Sequence, residues 1–265
     1  MASTRIITNW HYYADGARSA EIVVNRAEKI NALDAELTNE LAATFASLRT
    51  TDARVVVLTG AGDKAFIGGA DINTLRGLNP DTARSYITSI HQICQNIREC
   101  AAPVVARING YCLGAGLEIA VACDIRIAEA DAVLGMPETK VGLPSVVEAA
   151  LLPRLIGWGH TRWMLLTGEN ITAAKGADWG LIDVLAETGE LDSAVDATVR
   201  SFLAAAPQAV RVQKALMRDW EQLSINDAIT RGIHAFADCY AAGSEPQEYV
   251  EAFLAQRERA KASRQ

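Results

Sequence analysis

The sequence predicts an α/β fold, because short β-branched runs alternate with longer amphipathic stretches over the first two-thirds of the chain. Residues 54–59 are continuously apolar at their centre, which is typical of a strand buried on both faces of a sheet. Glycine-rich loops follow this run and the next apolar run, at 103–108. Strands and helices that alternate at this spacing pair in parallel through right-handed crossovers. We therefore expect a largely parallel sheet with helices against it.

The elements of this region are predicted from local patterns. Apolar runs indicate the strands, Asp34 caps the first helix, and paired glycines open a later one. In order, the predicted elements are a strand at 21–24, a helix at 34–48, a strand at 54–59, a helix at about 81–98, a strand at 103–108, a helix at 114–122 and a strand at 125–128.

Helices dominate the remainder of the chain. Thr172 caps a short helix, Ser224 opens another within a capping box, and Pro246 suits the first turn of a last helix. No flexible linker separates this part from the preceding one. We expect a core over residues 1–199 and a helical segment over residues 200–265.

The charge balance is acidic, with 25 basic against 32 acidic residues, a formal net charge of −7 and a pI near 5.2. Nucleic acids and anionic membranes normally bind basic surfaces, so neither is an expected partner. The N-terminus lacks the apolar core of a secretory signal. No apolar stretch approaches the roughly 20 residues that span a bilayer.

Residue types that often carry catalysis are scattered. The five cysteines show no C-x-x-C pair and no spacing that suits zinc, so we expect no metal site, and reduced thiols in a cytoplasmic protein. The four histidines lie far apart and belong to no triad or metal motif. A G-x-S-x-G elbow and a phosphate loop are missing, and the glycines near residue 114 have the wrong spacing for a dinucleotide fingerprint.

Two glycine-rich loops, at 66–71 and 114–118, each follow a parallel-type strand and end in small residues before an acidic one. Small residues let ligand atoms approach main-chain N–H groups, and a helix N-terminus presents such groups without internal partners. Two donors that converge on one point form an oxyanion hole. The alternative is that the glycines serve only tight turns.

Two glutamates lie close to these loops in the predicted fold. Glu118 stands in an otherwise apolar helix, where a carboxylate is costly unless it serves a pocket. Glu138 follows one predicted strand later, after Gly135-Met136-Pro137. Paired acids can hold one water molecule and act as general base and general acid. Each glutamate alone is typical of a surface, but together with the loops they predict a catalytic cleft.

Five segments of the sequence carry motifs of one known family. They are 25–33, similar to N-R-P-x-x-x-N-A-L with Ala27 in place of the usual proline, then 64–72, 109–118, 123–126, and 172–184, similar to I-S-A-x-x-A-x-x-x-G-L-V. Over nearly its whole length the chain resembles the enoyl-CoA hydratase/isomerase (crotonase) superfamily. The resemblance implies a spiral of ββα turns with a helical C-terminal segment that forms trimers, so a homotrimer or homohexamer is expected.

The resemblance also implies roles for individual residues. The N–H groups of Ala70 and Ala115 would bind the carbonyl oxygen of an acyl-CoA thioester, and Glu118 and Glu138 match both glutamates of the hydratases. The CoA contacts that the resemblance implies, largely through backbone groups, are Lys29, Ala32, Gly68, Ala70, Asp71 and Ile72.

The implied reaction is hydration of a trans-2-enoyl-CoA to a 3-hydroxyacyl-CoA, because the isomerases typically keep an acid only near the second position. Glu118 would position and activate water, and Glu138 would supply the C2 proton. No metal or redox cofactor is implied, and CoA is part of the substrate. The open alternatives are enoyl-CoA isomerisation, another CoA-thioester reaction (dehalogenation, decarboxylation or carnitinyl-CoA dehydration), and a non-catalytic scaffold or RNA-binding protein.

Residues 144–148 depart from the family pattern. They are Pro-Ser-Val-Val-Glu, where the family often has P-G-x-G-G. The resemblance places this loop in the acyl pocket, so it leaves acyl preference and reaction subtype open. We expect Glu148 to be a surface carboxylate that begins a helix, with a third pocket acid as the alternative.

Overall fold

The computed structural model describes residues 4–262, which fall into two compact units divided between Arg200 and Ser201. The sequence-based division lies one residue earlier. Among the described residues, strands occur only in the first unit, whereas the second is helical. In that part of the chain, no helix is both long enough and apolar enough to cross a membrane.

Within residues 4–262, strands build two sheets. They are β1 (Ile6–Tyr12), β2 (Arg18–Val24), β3 (Val56–Gly60), β4 (Ala65–Ile67), β5 (Val104–Ile108), β6 (Tyr111–Leu113), β7 (Ile125–Glu129), β8 (Val133–Gly135), β9 (Ile171–Thr172) and β10 (Val184–Ala186). The larger sheet has the order β1-β2-β3-β5-β7-β10 and the smaller one β4-β6-β8-β9. From β2 to β10 the larger sheet is parallel, as predicted, while β1 joins β2 as an antiparallel hairpin.

The helices surround these sheets or form the second unit. They are α1 (Ala35–Leu48), α2 (Ile72–Arg76), α3 (Pro80–Glu99), α4 (Ala115–Ala122), α5 (Leu152–Thr167), α6 (Ala173–Trp179), α7 (Leu191–Ala204), α8 (Pro207–Trp220), α9 (Ile225–Ala242) and α10 (Glu245–Ala262), with short 3₁₀ helices at Ala27–Lys29, Pro137–Val141 and Val147–Leu151. The predicted caps are confirmed, because Asp34, Thr172 and Ser224 each accept from a first-turn N–H.

The core of the first unit lies between the larger sheet and helices α1, α3 and α4. Every residue of β3 is buried, which explains its continuous apolar sequence. Phe45 and Phe66 are fully buried there, and burial of such a side chain contributes roughly 1.5–3 kcal/mol. The cysteines are free thiols, and Cys112 and Cys123 are buried like small apolar residues.

Three successive chain segments repeat one arrangement. In each, a strand of the larger sheet (β3, β5 or β7) is followed by a short strand of the smaller sheet (β4, β6 or β8) and then by a helix. Because β4, β6 and β8 are parallel neighbours, the residues after their ends meet at one edge. These short strands were not predicted from the sequence, since three residues carry no measurable periodicity. Strand β1 and helices α2 and α5 were not predicted either.

Candidate active site

The first predicted donor, Ala70, follows β4 in a segment that runs beside Leu33. The N–H of Leu33 donates to Gly69 O at 2.8 Å, and the N–H of Asp71 donates to Leu33 O at 2.8 Å. In this parallel bridge, the hydrogen bonds to Leu33 are made by Gly69 and Asp71, the residues on either side of Ala70. The N–H of Ala70 itself therefore points away from Leu33. Within residues 4–262 this N–H donates no hydrogen bond, and it is available to a ligand.

The second predicted donor, Ala115, is the first residue of α4. An N–H in the first turn of a helix has no acceptor within the helix, and none bonds that of Ala115 among the described residues. A Cβ on the next residue, Gly116, would lie 2.1 Å from the carbonyl oxygen of Ile67. Only glycine therefore permits α4 to pack directly on the end of β4, close to the Ala70 loop.

A cavity of about 280 Å³ brings the four predicted catalytic residues together. Ala70, Ala115, Glu118 and Glu138 all line it, and most of its remaining wall is apolar and comes from α3 and residues 143–146. These four residues come from three successive turns of the spiral. The convergence of the two loops and the two glutamates, expected from the sequence, is what the fold produces.

Glu118 occupies the dry side of this cavity. All eight residues of α4 are buried, Glu118 is only 3% exposed, and its Oε1 has no hydrogen-bond partner within the described residues. Burial, and then the charges of Glu138 and Glu148, raise the pKa of Glu118 to about 8, against smaller opposing contributions from the N–H groups of Val146 and Ala149. Burial therefore favours the protonated form of Glu118 in the ligand-free protein.

Glu138 occupies a more polar part of the same cavity. It is half-buried in the 3₁₀ helix after β8, and Ser145 Oγ donates to its Oε2 at 2.8 Å. Its Oε1 lies against the backbone of Gly114, where a Cβ would come within 2.4 Å of it. Gly114 has a φ of +50°, so both the space and the backbone conformation there require glycine.

The predicted CoA-contacting residues lie in two adjoining segments beside the cavity. Apart from Ala70, none of them is part of its wall. Gly68 N–H donates to Ile30 O at 2.9 Å, and this bond joins the segment that holds Lys29 and Ala32 to the segment that holds Gly68, Asp71 and Ile72. The structure thus brings these residues together, and Lys29 and Ile72 are exposed.

Asp71 also has a structural role that the sequence did not reveal. Its Oδ2 lies 2.7 Å from Nη1 of Arg26, which also donates to Ala32 O at 2.8 Å. Burial opposes ionisation of Asp71, but the Arg26 guanidinium and the N–H of Asn73 outweigh it and lower the pKa of the carboxyl. The ion pair therefore fixes the first donor loop against residues 26–33.

The expectation that Glu148 is a surface carboxylate is wrong. Glu148 is 6% exposed, and its Oε1 lies 2.8 Å from Nδ1 of His91 on α3. It does lie at the start of a helix, the 3₁₀ helix Val147–Leu151, but it does not line the cavity. The partner is 57 residues away in sequence, so no local pattern could have paired them. Within the described residues, no cluster of side chains could hold a metal ion.

The arrangement resembles that of solved structures from one fold class. An enoyl-CoA hydratase of Bacillus anthracis superimposes with a TM-score of 0.89 at 29% identity, and the match covers 96% of this chain and 97% of that one. The protein is therefore an α/β protein of the crotonase fold.

Comparison with other sequences shows which family the chain belongs to. Residues 16–261 match the family described as enoyl-CoA hydratase/isomerase, and the chain belongs to that family. The short-chain-enoyl-CoA hydratase of Clostridium acetobutylicum is 30% identical over 240 residues, which cover 90% of this chain and 92% of that protein. The (E)-benzylidenesuccinyl-CoA hydratase of Thauera aromatica is 38% identical over 197 residues, 74% of this chain and 77% of that protein. These matches support an enzyme of the crotonase family, which acts on acyl-CoA thioesters.

Proposed function

We propose that the protein is an enoyl-CoA hydratase, which adds water across the 2,3 double bond of a trans-2-enoyl-CoA to give a 3-hydroxyacyl-CoA. The observation that carries the proposal is the single cavity lined by two residues with unbonded N–H groups and by two carboxyls in unlike surroundings. The hydratase names of the relatives from Clostridium acetobutylicum and Thauera aromatica agree with it.

The two N–H groups act on the thioester. Its carbonyl oxygen accepts from Ala70 and Ala115, and both bonds strengthen as negative charge moves onto that oxygen during attack at C3. Such a donor typically contributes about 3 kcal/mol to the transition state. Binding of the CoA portion beside Lys29, Ala32, Gly68, Asp71 and Ile72 orients the acyl group in the cavity.

The two glutamates move the protons. The water oxygen bonds to C3, its proton passes to the Glu118 carboxylate, and Glu138 gives its own proton to C2. The turnover leaves the proton on Glu118, which is where burial places it in the ligand-free protein. Transfer of that proton to Glu138 through the next bound water restores the starting state. The proposed chemistry uses no metal ion and no redox cofactor, because the thioester itself acidifies the α-carbon.

The test is the loss of enoyl-thioester absorbance with crotonyl-CoA. Wild type is expected to turn over, and Glu118→Gln and Glu138→Gln are each expected to lose at least about a hundredfold in kcat. Glu169→Gln is the matched control, because Glu169 is an exposed carboxylate paired with Lys140. Wild type that is inert on short and long enoyl-CoAs but still binds CoA would overturn the hydratase. Isomerisation of a 3-enoyl-CoA that survives Glu118→Gln would point to an isomerase.

The second unit supports the proposal of a homotrimer or homohexamer. Helix α9 exposes an apolar stripe at helical spacing, formed by Ile225, Ile229, Ile233 and Phe236, with exposed fractions of 57–78%. A continuous apolar stripe of this kind is typical of a surface that contacts another protein. Light scattering is expected to give three or six times the chain mass of 28.4 kDa, and a stable monomer would contradict the proposal. Location in the cytoplasm and the absence of nucleic-acid or membrane partners remain predictions.

A further inference from the structure

A second cavity adjoins the active-site cavity, which holds the two glutamates. The second cavity has a volume of about 640 Å³, against about 280 Å³ for the active-site cavity. Val146 lines both of them. Ser145 lines the second cavity, and its Oγ donates to Oε2 of Glu138, which lies in the first. One segment of the chain, residues 144–147, therefore forms a dividing wall between the two cavities.

The second cavity is largely apolar. Most of its lining comes from the 3₁₀ helix Val147–Leu151 and from α5, with Trp158 as the largest side chain. Two polar side chains of α5, Arg154 and Thr161, also line it, and Thr161 Oγ1 already donates to Gly157 O at 2.8 Å. A space with such a lining favours hydrocarbon over strongly hydrated groups. It therefore suits the end of a long aliphatic chain.

The dividing wall is held in place at both ends. The N–H of Leu143 donates to Glu138 O at 3.0 Å, and the N–H of Ala149 donates to Val146 O at 2.9 Å. Val147 has a φ of +38°, a conformation that β-branched residues rarely adopt. Backbone strain of this kind persists only where the surroundings determine it. A ligand in the active-site cavity therefore meets the side chain of Val146 in a set position.

The active-site cavity has room for a short acyl group. Its volume of about 280 Å³ holds roughly nine water-sized groups at about 30 Å³ each, of which a thioester group and an attacking water take about four. An acyl chain of about six carbons, counted from the thioester carbon, fills the remainder. A longer chain meets the wall, where Val146 presents an apolar side chain that is 38% exposed.

We propose that Val146 determines acyl-chain length, because its side chain ends the acyl pocket after about six carbons. The second cavity is the space that a longer chain enters once this side chain is removed. The substrate class is thus short-chain acyl-CoA thioesters. The inference rests on the proposed function, which makes an acyl group the occupant of the active-site cavity. Val146 acts by contact with the end of the acyl chain and takes no part in proton transfer.

The test is isothermal titration calorimetry with saturated acyl-CoAs, which have no double bond to hydrate. Each methylene that is buried on binding is expected to lower Kd about fourfold. For wild type, Kd is therefore expected to fall about tenfold from butyryl-CoA to hexanoyl-CoA, and to fall no further with decanoyl-CoA. In Val146→Ala, binding of decanoyl-CoA is expected to tighten at least about tenfold relative to hexanoyl-CoA.

Three further variants control this result. Val141→Ala is the matched control, because Val141 is an exposed valine of the preceding 3₁₀ helix that lines neither cavity, and it is expected to behave as wild type. Ala150 lines the second cavity but not the first, so adding Ala150→Phe to Val146→Ala is expected to remove the gain for decanoyl-CoA. Val146→Phe thickens the wall and is expected to weaken hexanoyl-CoA at least about fourfold relative to butyryl-CoA.

Three results would overturn the inference. They are wild-type binding that tightens by the full increment per methylene up to decanoyl-CoA, chain-length ratios that stay unchanged in Val146→Ala or Val146→Phe, and a decanoyl-CoA gain that survives Ala150→Phe. Failure to bind any acyl-CoA would overturn the proposed function as well. A wild type that binds acyl-CoAs in the expected order but is inert on enoyl-CoAs would overturn the hydratase alone.

Discussion

The two glutamates share one cavity, but their surroundings differ in nearly every respect. Glu118 lies in a fully buried helix, with an oxygen that no described residue contacts by a hydrogen bond. Glu138 lies in a short 3₁₀ helix, half-buried, with Ser145 Oγ on one oxygen and the backbone of Gly114 against the other. The difference comes from the elements that hold them, since an apolar helix excludes water and a short turn near the surface admits it.

Because the surroundings of the two carboxyls differ, the two glutamate side chains can take different roles in proton transfer. Burial raises the pKa of Glu118 to about 8, whereas Glu138 keeps a hydroxyl partner. The charge of Glu138 is one of the causes that raise the pKa of Glu118, so the two carboxyls act on one another across the cavity.

The largest expected effect comes from disturbing the Glu138 side of the pair. In Gly114→Ala the new Cβ would lie 2.4 Å from Glu138 Oε1, on a backbone with a φ of +50°. The Glu138 carboxyl and the first turn of α4 must both move, so kcat for crotonyl-CoA is expected to fall by about a hundredfold or more. Steady-state kinetics on the purified variant check this.

The matched control for this variant is Gly142→Ala. Gly142 also has a positive φ, +80°, but a Cβ there meets nothing within 4 Å. It therefore carries the backbone strain without the collision, and kcat is expected to stay within about threefold of wild type. Equal losses in both variants would mean that backbone strain alone, rather than the position of Glu138, is responsible.

The next largest effect concerns Glu118, through which the stability of the protein is expected to depend on pH. Because folding raises the pKa of Glu118 from 4.5 to about 8, the folded protein holds a proton that the unfolded chain releases between these values. Its stabilising contribution is fully present below pH 4.5 and is lost as the pH rises through about 8. The whole change corresponds to at most about 5 kcal/mol.

Glu118→Gln cannot ionise, so the variant is expected to lose less stability than wild type between pH 5 and pH 9. Urea unfolding at fixed chain concentration measures the difference, since association of chains shifts apparent stability. Glu169→Gln, a surface carboxylate variant, is expected to follow the wild-type pH profile. Parallel profiles for wild type and Glu118→Gln would show that Glu118 is not protonated in the folded protein.

Much of the fold and the placement of the site follow from local sequence patterns. Residues 54–59 predicted β3 because a strand covered on both faces needs apolar residues throughout. The donors and glutamates could be placed together, since residues that follow neighbouring parallel strands share one edge. Strand β8, with three residues, is too short to show alternation, although it positions Glu138.

The surroundings of the glutamates could not be predicted in the same way. The sequence around Glu148 resembles the start of an exposed helix, and its burial depends on His91 of a distant helix. The hydroxyl partner of Glu138 comes from Ser145, across a left-handed turn at Gly142. Such contacts depend on how separate elements pack, and packing of that kind leaves no periodic signal.

The smallest expected effect tests the hydrogen bond that makes Glu138 unlike Glu118. Ser145→Ala removes the donor at 2.8 Å from Glu138 Oε2, and a typical hydrogen bond contributes about 1 kcal/mol net. We expect kcat to fall by about five- to tenfold with little change in KM, because the bond fixes the carboxyl that protonates C2. Ser145→Thr keeps the hydroxyl and is expected to stay close to wild type. A change in KM or in acyl preference at constant kcat would instead assign Ser145 to the acyl pocket. The Gly114 backbone alone would then hold Glu138. The surroundings of Glu138 and Glu118 would differ only in how exposed the two side chains are.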